Sequence, residues 1–169
     1  MSFPVCFRLL AVTTLFNRRI FQQSRAISFT NPFYQMSSKS TANWNPNLTT
    51  EQLHVLRDKG TERPGTGLYL NNKEAGVYHC ANCDAPIYSS QSKFDSSCGW
   101  PAFNQEISND ALTYHTDNSL GMERTEICCA KCGGHMGHVF KGEGWDKLLG
   151  LPKDARHCVN SASLEFKKE

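Results

Sequence analysis

From Gly76 onward the apolar residues come in short runs rich in β-branched and aromatic side chains, broken by Gly, Asn and Ser. Runs of that length between turn residues predict strands. They fall at Gly76–Cys80, Pro86–Tyr88, Phe103–Ile107, Leu112–Thr116, Thr125–Cys129, Gly137–Phe140, Cys158–Ser161 and Leu164–Phe166, which makes the body mainly β. One helical turn is predicted over Trp145–Leu149. Ahead of the strands, Leu48–Gly60 reads as a helix. Thr49 with Gln52 forms a capping box and Leu48 with Leu53 a hydrophobic staple, while Gly60 supplies the stop. Its apolar face, Leu53 with Leu56, is narrow, so this helix covers a core built elsewhere. Thr61–Gly67 is loop, and the chain shows no internal repeat and no low-complexity tract.

Charge divides the chain in two. Residues 1–50 carry Arg8, Arg18, Arg19, Arg25 and Lys39 and no acid, so they hold +5; the remaining 13 basic and 16 acidic residues leave the body at −3. An acidic body gives no electrostatic case for nucleic-acid binding. No apolar run approaches the roughly 20 residues needed to span a bilayer. Residues 1–40, rich in Arg and Ser and free of acids, read as a mitochondrial (matrix) targeting segment with an amphipathic stretch around Phe7–Phe21. A secretory signal fits less well, because Arg8 and two threonines interrupt its apolar region; a disordered tail is the plainer alternative. Met36 offers a second start that would yield a cytoplasmic form. At 169 residues the chain holds this segment and one domain, 41–169.

Eight cysteines in so short a chain demand an account. Four form two CxxC pairs, Cys80 with Cys83 and Cys129 with Cys132. Two such turns can close a tetrahedral thiolate shell around one zinc, with no position left open for chemistry. That would be a structural ion, pinning together hairpins distant in sequence. Two redox pairs or unligated thiols are the alternatives. Cys128 competes for the register, but only Cys129 completes a CxxC; on a strand Cys128 points the other way, into the core. With four cysteines in the shell, His135 and His138 are free for other work.

The segment Arg156-His157-Cys158-Val159-Asn160-Ser161 holds a cysteine outside both pairs. On a strand, Arg156, Cys158 and Asn160 share one face, because side chains alternate with period two. Positive charge beside a thiol favours the reactive thiolate, although a buried, inert cysteine is as common a finding. Cys98-Gly99-Trp100-Pro101 supplies a second unpaired cysteine and a loop tryptophan. Two cysteines of this kind, Cys98 and Cys158, suggest one attacking and one resolving thiol, without saying which is which. His135 and His138 stand three apart and would face opposite ways on a flat strand; Gly137 permits a kink that brings both to one side. For either histidine alone, a structural imidazole is the plainer reading.

Taken together these blocks resemble the methionine-R-sulfoxide reductases, the MsrB family. The resemblance runs from about Leu48 to Phe166 and covers Gly60-Thr61-Glu62 with Pro64 and Gly67, then Gly76–Cys80, Lys93-Phe94-Asp95, Cys98–Pro101, Gly137–Phe140 and Cys158–Leu164. It implies two antiparallel β-sheets with a few short peripheral helices. It implies reduction of the R epimer of methionine sulfoxide in oxidised proteins, with thioredoxin as reductant; apart from the resemblance, a monomer without a nucleic-acid partner is expected. Position by position it makes Cys158 the nucleophile, Cys98 the resolving cysteine, and Trp100 the face against the substrate methyl. It places His135, His138 and Asn160 around the sulfoxide oxygen, Arg156 beside the nucleophile and Phe140 in the apolar wall, with Cys80, Cys83, Cys129 and Cys132 on zinc. Where many relatives have a short Gly-Pro loop, this chain carries a longer, helix-like segment, Lys141–Asp154. Two rivals remain at this level: a non-catalytic zinc-ribbon module and a general disulfide oxidoreductase using a metal-free CxxC.

Overall fold

The computed structural model describes residues 43–119 and 121–169; the targeting segment expected over 1–40 and the second start at Met36 lie outside them. The first element, α1 (Thr50–Leu56), begins as its capping box predicts: Thr49 Oγ1 accepts from Gln52 N at 3.2 Å, and Gln52 Oε1 accepts from Thr49 N at 2.9 Å. Its end differs. The helix closes at Arg57, and the left-handed residue is Lys59 (φ 59°), not Gly60. Gly60 serves by being small, since a Cβ there would run into the His54 ring. Lys59 Nζ reaches Glu126 Oε2, 2.7 Å away.

The strands that follow are β1 (Gly76–Cys80), β2 (Pro86–Ser89), β3 (Lys93–Phe94), β4 (Ala102–Phe103), β5 (Leu112–Asp117), β6 (Arg124–Cys129), β7 (His135–Lys141), β8 (Ala155–Val159) and β9 (Leu164–Lys168), with α2 (Trp145–Leu149) between β7 and β8. They form two antiparallel sheets, β2-β1-β9 and β3-β4-β8-β7-β6-β5. Six strands and α2 lie within two residues of the sequence reading. Two are shifted. The strand expected over Phe103–Ile107 pairs only through Phe103, because Asn104 N turns to Ser92 O (2.9 Å) and Ile107 N to Ile87 O (2.8 Å). The strand expected over Cys158–Ser161 begins earlier and ends at Val159, where a 3₁₀ turn over Ser161–Ser163 takes over. No helix of the described residues is long and apolar enough to cross a membrane.

The core lies where the two sheets meet. Tyr78 and Tyr88 from the small sheet and Phe103 from the large one are fully buried, with Tyr88 stacked on Phe103 at 4.1 Å and Tyr78 edge-on to it at 5.1 Å. Tyr88 OH, which needs a partner at such depth, meets His157 Nδ1 at 3.0 Å.

Strand β8 is the one that places chemistry. Its residues alternate between buried Ala155, His157 and Val159 and half-buried Arg156 and Cys158. Opposite it on β7, His138 faces Cys158 and Phe140 faces Arg156. Cross-strand partners present side chains on the same face of a sheet, so all four share a surface. A bulge at Met136 shifts β7 against β6 and brings His135 round to His138, with ring centroids 5.5 Å apart. Gly137 (φ 156°) sits so close to β8 that a Cβ would strike the Cys158 carbonyl oxygen. Backbone cannot retreat as a side chain can, so Gly137→Ala should destabilise the protein by about 2–3 kcal/mol. A lower urea midpoint with unchanged slope reads this out; an unchanged midpoint would show that the approach of β7 to β8 is not as close as described.

Candidate active site

Cys98 and Cys158, both outside the CxxC pairs, meet. Cys158 Sγ lies 3.1 Å from Cys98 Sγ and accepts a hydrogen bond from Arg156 Nη1 at 2.6 Å. Cys98 is brought there by a tight loop in which Ser97 and Gly99 have left-handed backbone (φ 56° and 94°). Gly99 cannot carry a side chain, because a Cβ would press on Pro64 at 2.8 Å, and its carbonyl accepts from Gly65 N at 2.8 Å. At this separation the two thiols share one proton and titrate as a unit. The hydrogen bond donated by Cys158 draws Cys98 down to about 5, and the same contact pushes Cys158 up, with Arg156 acting in the opposite sense on Cys158. The pair therefore carries one negative charge at neutral pH.

Arg156 is held from behind. Glu143 accepts from its Nε at 2.7 Å and its Nη2 at 2.6 Å, and also from Trp145 Nε1 at 2.7 Å. The guanidinium lies 4.4 Å over the Phe140 ring. Asp154 caps the start of α2, accepting from Gly144 N (2.8 Å) and Trp145 N (3.0 Å). The long segment 141–154 thus delivers a carboxylate to the site, which the sequence reading did not assign. An acid between two glycines, Gly142-Glu143-Gly144, was the only local signal.

Seven of the expected residues line one pocket of about 140 Å³: Cys98, Cys158, Trp100, Phe140, His138, Arg156 and Asn160. Trp100 and Phe140 are its aromatic members. Trp100 Nε1 donates to the Glu62 carbonyl at 3.1 Å. Asn160 is buried; its Oδ1 accepts from Glu62 N at 3.0 Å and its Nδ2 donates to Met136 O at 3.1 Å. His135 is not in this pocket. It lies in an adjoining polar cavity that shares His138.

Each histidine is paired with a carboxylate. His138 Nε2 lies 2.8 Å from Asp117 Oδ2, which Arg124 also holds at 2.6 Å. Burial lowers the His138 pKa, the Asp117 contact opposing, so the protonated ring is a stronger acid than an exposed histidine. His135 Nδ1 lies 2.8 Å from Glu126 Oε1. Burial raises Glu126, but the hydrogen bonds from His135 and Lys59 outweigh it and hold the carboxyl at about 2. An ionised Glu126 only accepts, so the His135 proton sits on Nδ1. Sequence reasoning missed Asp117 and Glu126, whose spacing from the histidines carries no motif.

Where β1 and β6 end, at Cys80 and Cys129, the four CxxC sulfurs form a cluster. Each pair occupies a matching turn: Asp84 N donates to Cys80 O (2.9 Å) with Asp84 left-handed, and Gly133 N donates to Cys129 O (2.8 Å) with Gly133 left-handed. Cys80 Sγ is 3.7 Å from Cys132 Sγ, Cys83 Sγ is 3.6 Å from Cys129 Sγ, and all four lie within 4.8 Å of one another. A tetrahedron with Zn–S bonds of about 2.3 Å has edges of about 3.8 Å, so the donor set fits that ion. Hydrogen bonding to Cys129 and Cys132 pushes Cys80 far up, and Cys132 pushes Cys129 up to about 12. The same contacts draw Cys132 down, and a cation at the centre of the cluster would favour thiolate sulfurs.

A mainly β scaffold with a closed four-cysteine cluster and a separate, cation-backed thiol pair in an aromatic pocket defines a thiol redox protein. The comparisons are specific. The SelR domain model matches residues 48–168. The chain is similar to "Peptide methionine sulfoxide reductase 2" of Saccharomyces cerevisiae, 60% identical over 96% of this chain and 97% of that one. It is 52% identical to "Peptide methionine sulfoxide reductase B3" of Arabidopsis thaliana over 76% of this chain and 69% of that one. It is 48% identical to "Peptide methionine sulfoxide reductase MsrB" of Agrobacterium fabrum over 76% of this chain and 91% of that one. The chain belongs to the SelR domain family, the MsrB proteins.

The thiolate is the reactive form, so alkylation of the pair by iodoacetamide should hold through neutral pH and fall as pH drops through about 5. Cys158→Ala removes the donor and should move the Cys98 inflection up toward the ordinary thiol range, about 8.5. An inflection unmoved in that variant would mean the two thiols titrate independently.

Proposed function

We propose that this chain is a peptide-methionine (R)-S-oxide reductase in which Cys158 attacks and Cys98 resolves. The observation that carries the assignment is the Cys158 sulfur, 2.6 Å from Arg156 Nη1 and 3.1 Å from Cys98 Sγ, in a pocket lined by Trp100 and Phe140.

The chemistry balances as follows. The Cys158 thiolate attacks the sulfoxide sulfur; the oxygen takes one proton and ends as the hydroxyl of a Cys158 sulfenic acid, while methionine leaves. Cys98 then attacks the Cys158 sulfur, expelling water and forming a disulfide. A dithiol such as thioredoxin reduces that disulfide by exchange. For the first step the proton must leave Cys158 for Cys98 or solvent, and Arg156 holds the resulting charge. His138 is the proton donor to the oxygen: it lies in the pocket and opposite Cys158 in register, and its Nε2 is anchored on Asp117. His135 supports His138 from the adjoining cavity. The sulfoxide methyl packs on Trp100, and oxygen donors stand on the β7–β8 side. One face accepts methyl and the other accepts oxygen, which selects a single epimer.

Cys80, Cys83, Cys129 and Cys132 would hold zinc. A closed four-sulfur shell leaves no coordination site for substrate, so the ion supplies stability alone, tying the β1–β2 end to the β6–β7 turn.

With a peptide carrying mixed methionine sulfoxide, the R epimer alone should disappear. Cys98→Ser should keep single-turnover activity but stall with thioredoxin; normal steady-state rates there would remove Cys98 from the cycle, and consumption of neither epimer would remove the enzyme reading.

Elemental analysis should find one zinc per chain, and Cys80→Ser should lose both zinc and the folded state. A zinc-free variant with full stability would contradict the structural role.

A further inference from the structure

Glu62 sits at the junction of the pocket's parts yet plays no role in the chemistry above. It is buried, 8% exposed. Its carboxylate accepts from two successive backbone amides, Ser161 N at 2.7 Å through Oε1 and Ala162 N at 3.1 Å through Oε2. Neither partner is a cation. Its backbone reaches the pocket twice: Glu62 N donates to Asn160 Oδ1 at 3.0 Å, and Glu62 O accepts from Trp100 Nε1 at 3.1 Å. One residue therefore ties together the chain just past the nucleophile, the amide of Asn160 and the ring of Trp100.

A buried carboxylate with no charged partner is costly to keep. Burial raises its pKa, the two amides acting against that. A clamp that only held loop to body would not need charge, since a neutral side chain accepts from a backbone amide too. What the carboxylate adds is two acceptor atoms side by side, matching two consecutive N–H groups that a single amide oxygen cannot serve equally. The packing around it is tight: a Cβ at Gly67 would lie 2.6 Å from Glu62 Oε1 and would overlap Ser161 Oγ. Ser161 Oγ in turn accepts from Tyr69 N at 3.1 Å.

We infer that Glu62 is a positioning residue for the reductase. Its carboxylate, clasped by the amides of Ser161 and Ala162, locks the loop so that its backbone holds Trp100 and Asn160 at the angle the sulfoxide requires. The inference rests on the reading of Cys158, Trp100 and Asn160 as the working pocket. Displacements of the order of an ångström in substrate-holding groups can cost about a hundredfold in rate.

The test uses full-length, zinc-loaded protein and a peptide containing methionine-R-sulfoxide, with dithiothreitol as reductant. Glu62→Gln keeps size and one acceptor but turns a donor toward an amide N–H. It should lower kcat/KM by about tenfold to a hundredfold, with KM rising more than kcat falls, because Trp100 contacts the substrate. Iodoacetamide should alkylate the Cys98–Cys158 pair within about twofold of the wild-type rate, since Glu62 touches neither sulfur. Gly67→Ala pushes on the same carboxylate without altering its charge, and should reproduce the KM effect. The double variant should lose less than the product of the single losses, as expected when two changes break one interaction. A Glu62→Gln protein with wild-type kcat and KM would overturn the inference. So would a loss of activity matched by a faster alkylation rate, which marks general loosening. Should Glu62→Gln fail to fold, Gly67→Ala decides alone, and wild-type kinetics there overturn it. Activity surviving in Cys158→Ser would instead overturn the pocket reading itself, leaving the two failures distinct.

Discussion

Strand β8 is hydrogen-bonded along both edges, to β4 and to β7, and this constraint organises everything near it. A strand paired on both sides cannot slide or rotate without breaking two ladders, and a one-residue slip would send Cys158 into the core. Its buried residues, Ala155, His157 and Val159, face the aromatic layer, where His157 also satisfies the Tyr88 hydroxyl. Its half-buried residues are thereby forced onto the other face. Ala102 and His138 flank Cys158 in register, so its sulfur stands between a small side chain and an imidazole. The absence of bulk at Gly137 lets β7 come close enough to make that arrangement.

Once β8 is fixed, the loops need only bring complementary groups to it. The Cys98 loop, the Glu62 loop and the 141–154 segment arrive from three different places in the chain, and each docks through polar contacts. The four-cysteine cluster lies at the ends of β1 and β6 and brings together the two CxxC turns that follow them. The closed set and the Cys98–Cys158 pair share no residue, so six of the cysteines fall into two separate groups.

Much of this was legible beforehand, for reasons that can be named. Period two in Arg156-His157-Cys158 placed cation and thiol together from residue types alone. CxxC spacing identified the cluster because two residues is the length of the turn itself. The capping box at Thr49 announced α1 because both its bonds are local. What escaped was non-local. Asp117, Glu126 and Glu143 reach their partners across strands or round a loop, and no spacing along the chain encodes that. The bulge at Met136 was half-seen: Gly137 marked a place where the strand departs from regularity, but the extra residue lies beside it and shows only when β6 is laid alongside. His135 follows from the same cause, since the bulge turns it toward His138 yet leaves it in the neighbouring cavity. The strand over Lys93–Phe94 is two residues long, below any pattern that hydrophobicity can carry.

The charges around the pocket explain how a thiolate is tolerated there. Two unit charges 4 Å apart interact by about 4 kcal/mol at an effective dielectric constant of 20, which amounts to about three pKa units. Arg156 cannot bring the whole of that to Cys158, because Glu143 holds the guanidinium by two of its nitrogens. Their charges largely cancel at a distance. What remains is the short, directed Nη1–H bond to the sulfur at 2.6 Å, strong only while the sulfur stays where β8 puts it. Asp117 and Glu126 are likewise matched, by Arg124 and Lys59. Among the described residues, the one hydrogen bond that a cation gives to a sulfur is therefore aimed at Cys158. The same logic accounts for Glu62. It is clasped by amides instead of a cation, so it orders the loop without placing another positive charge beside the pair, where it would compete with Arg156 for the thiolate.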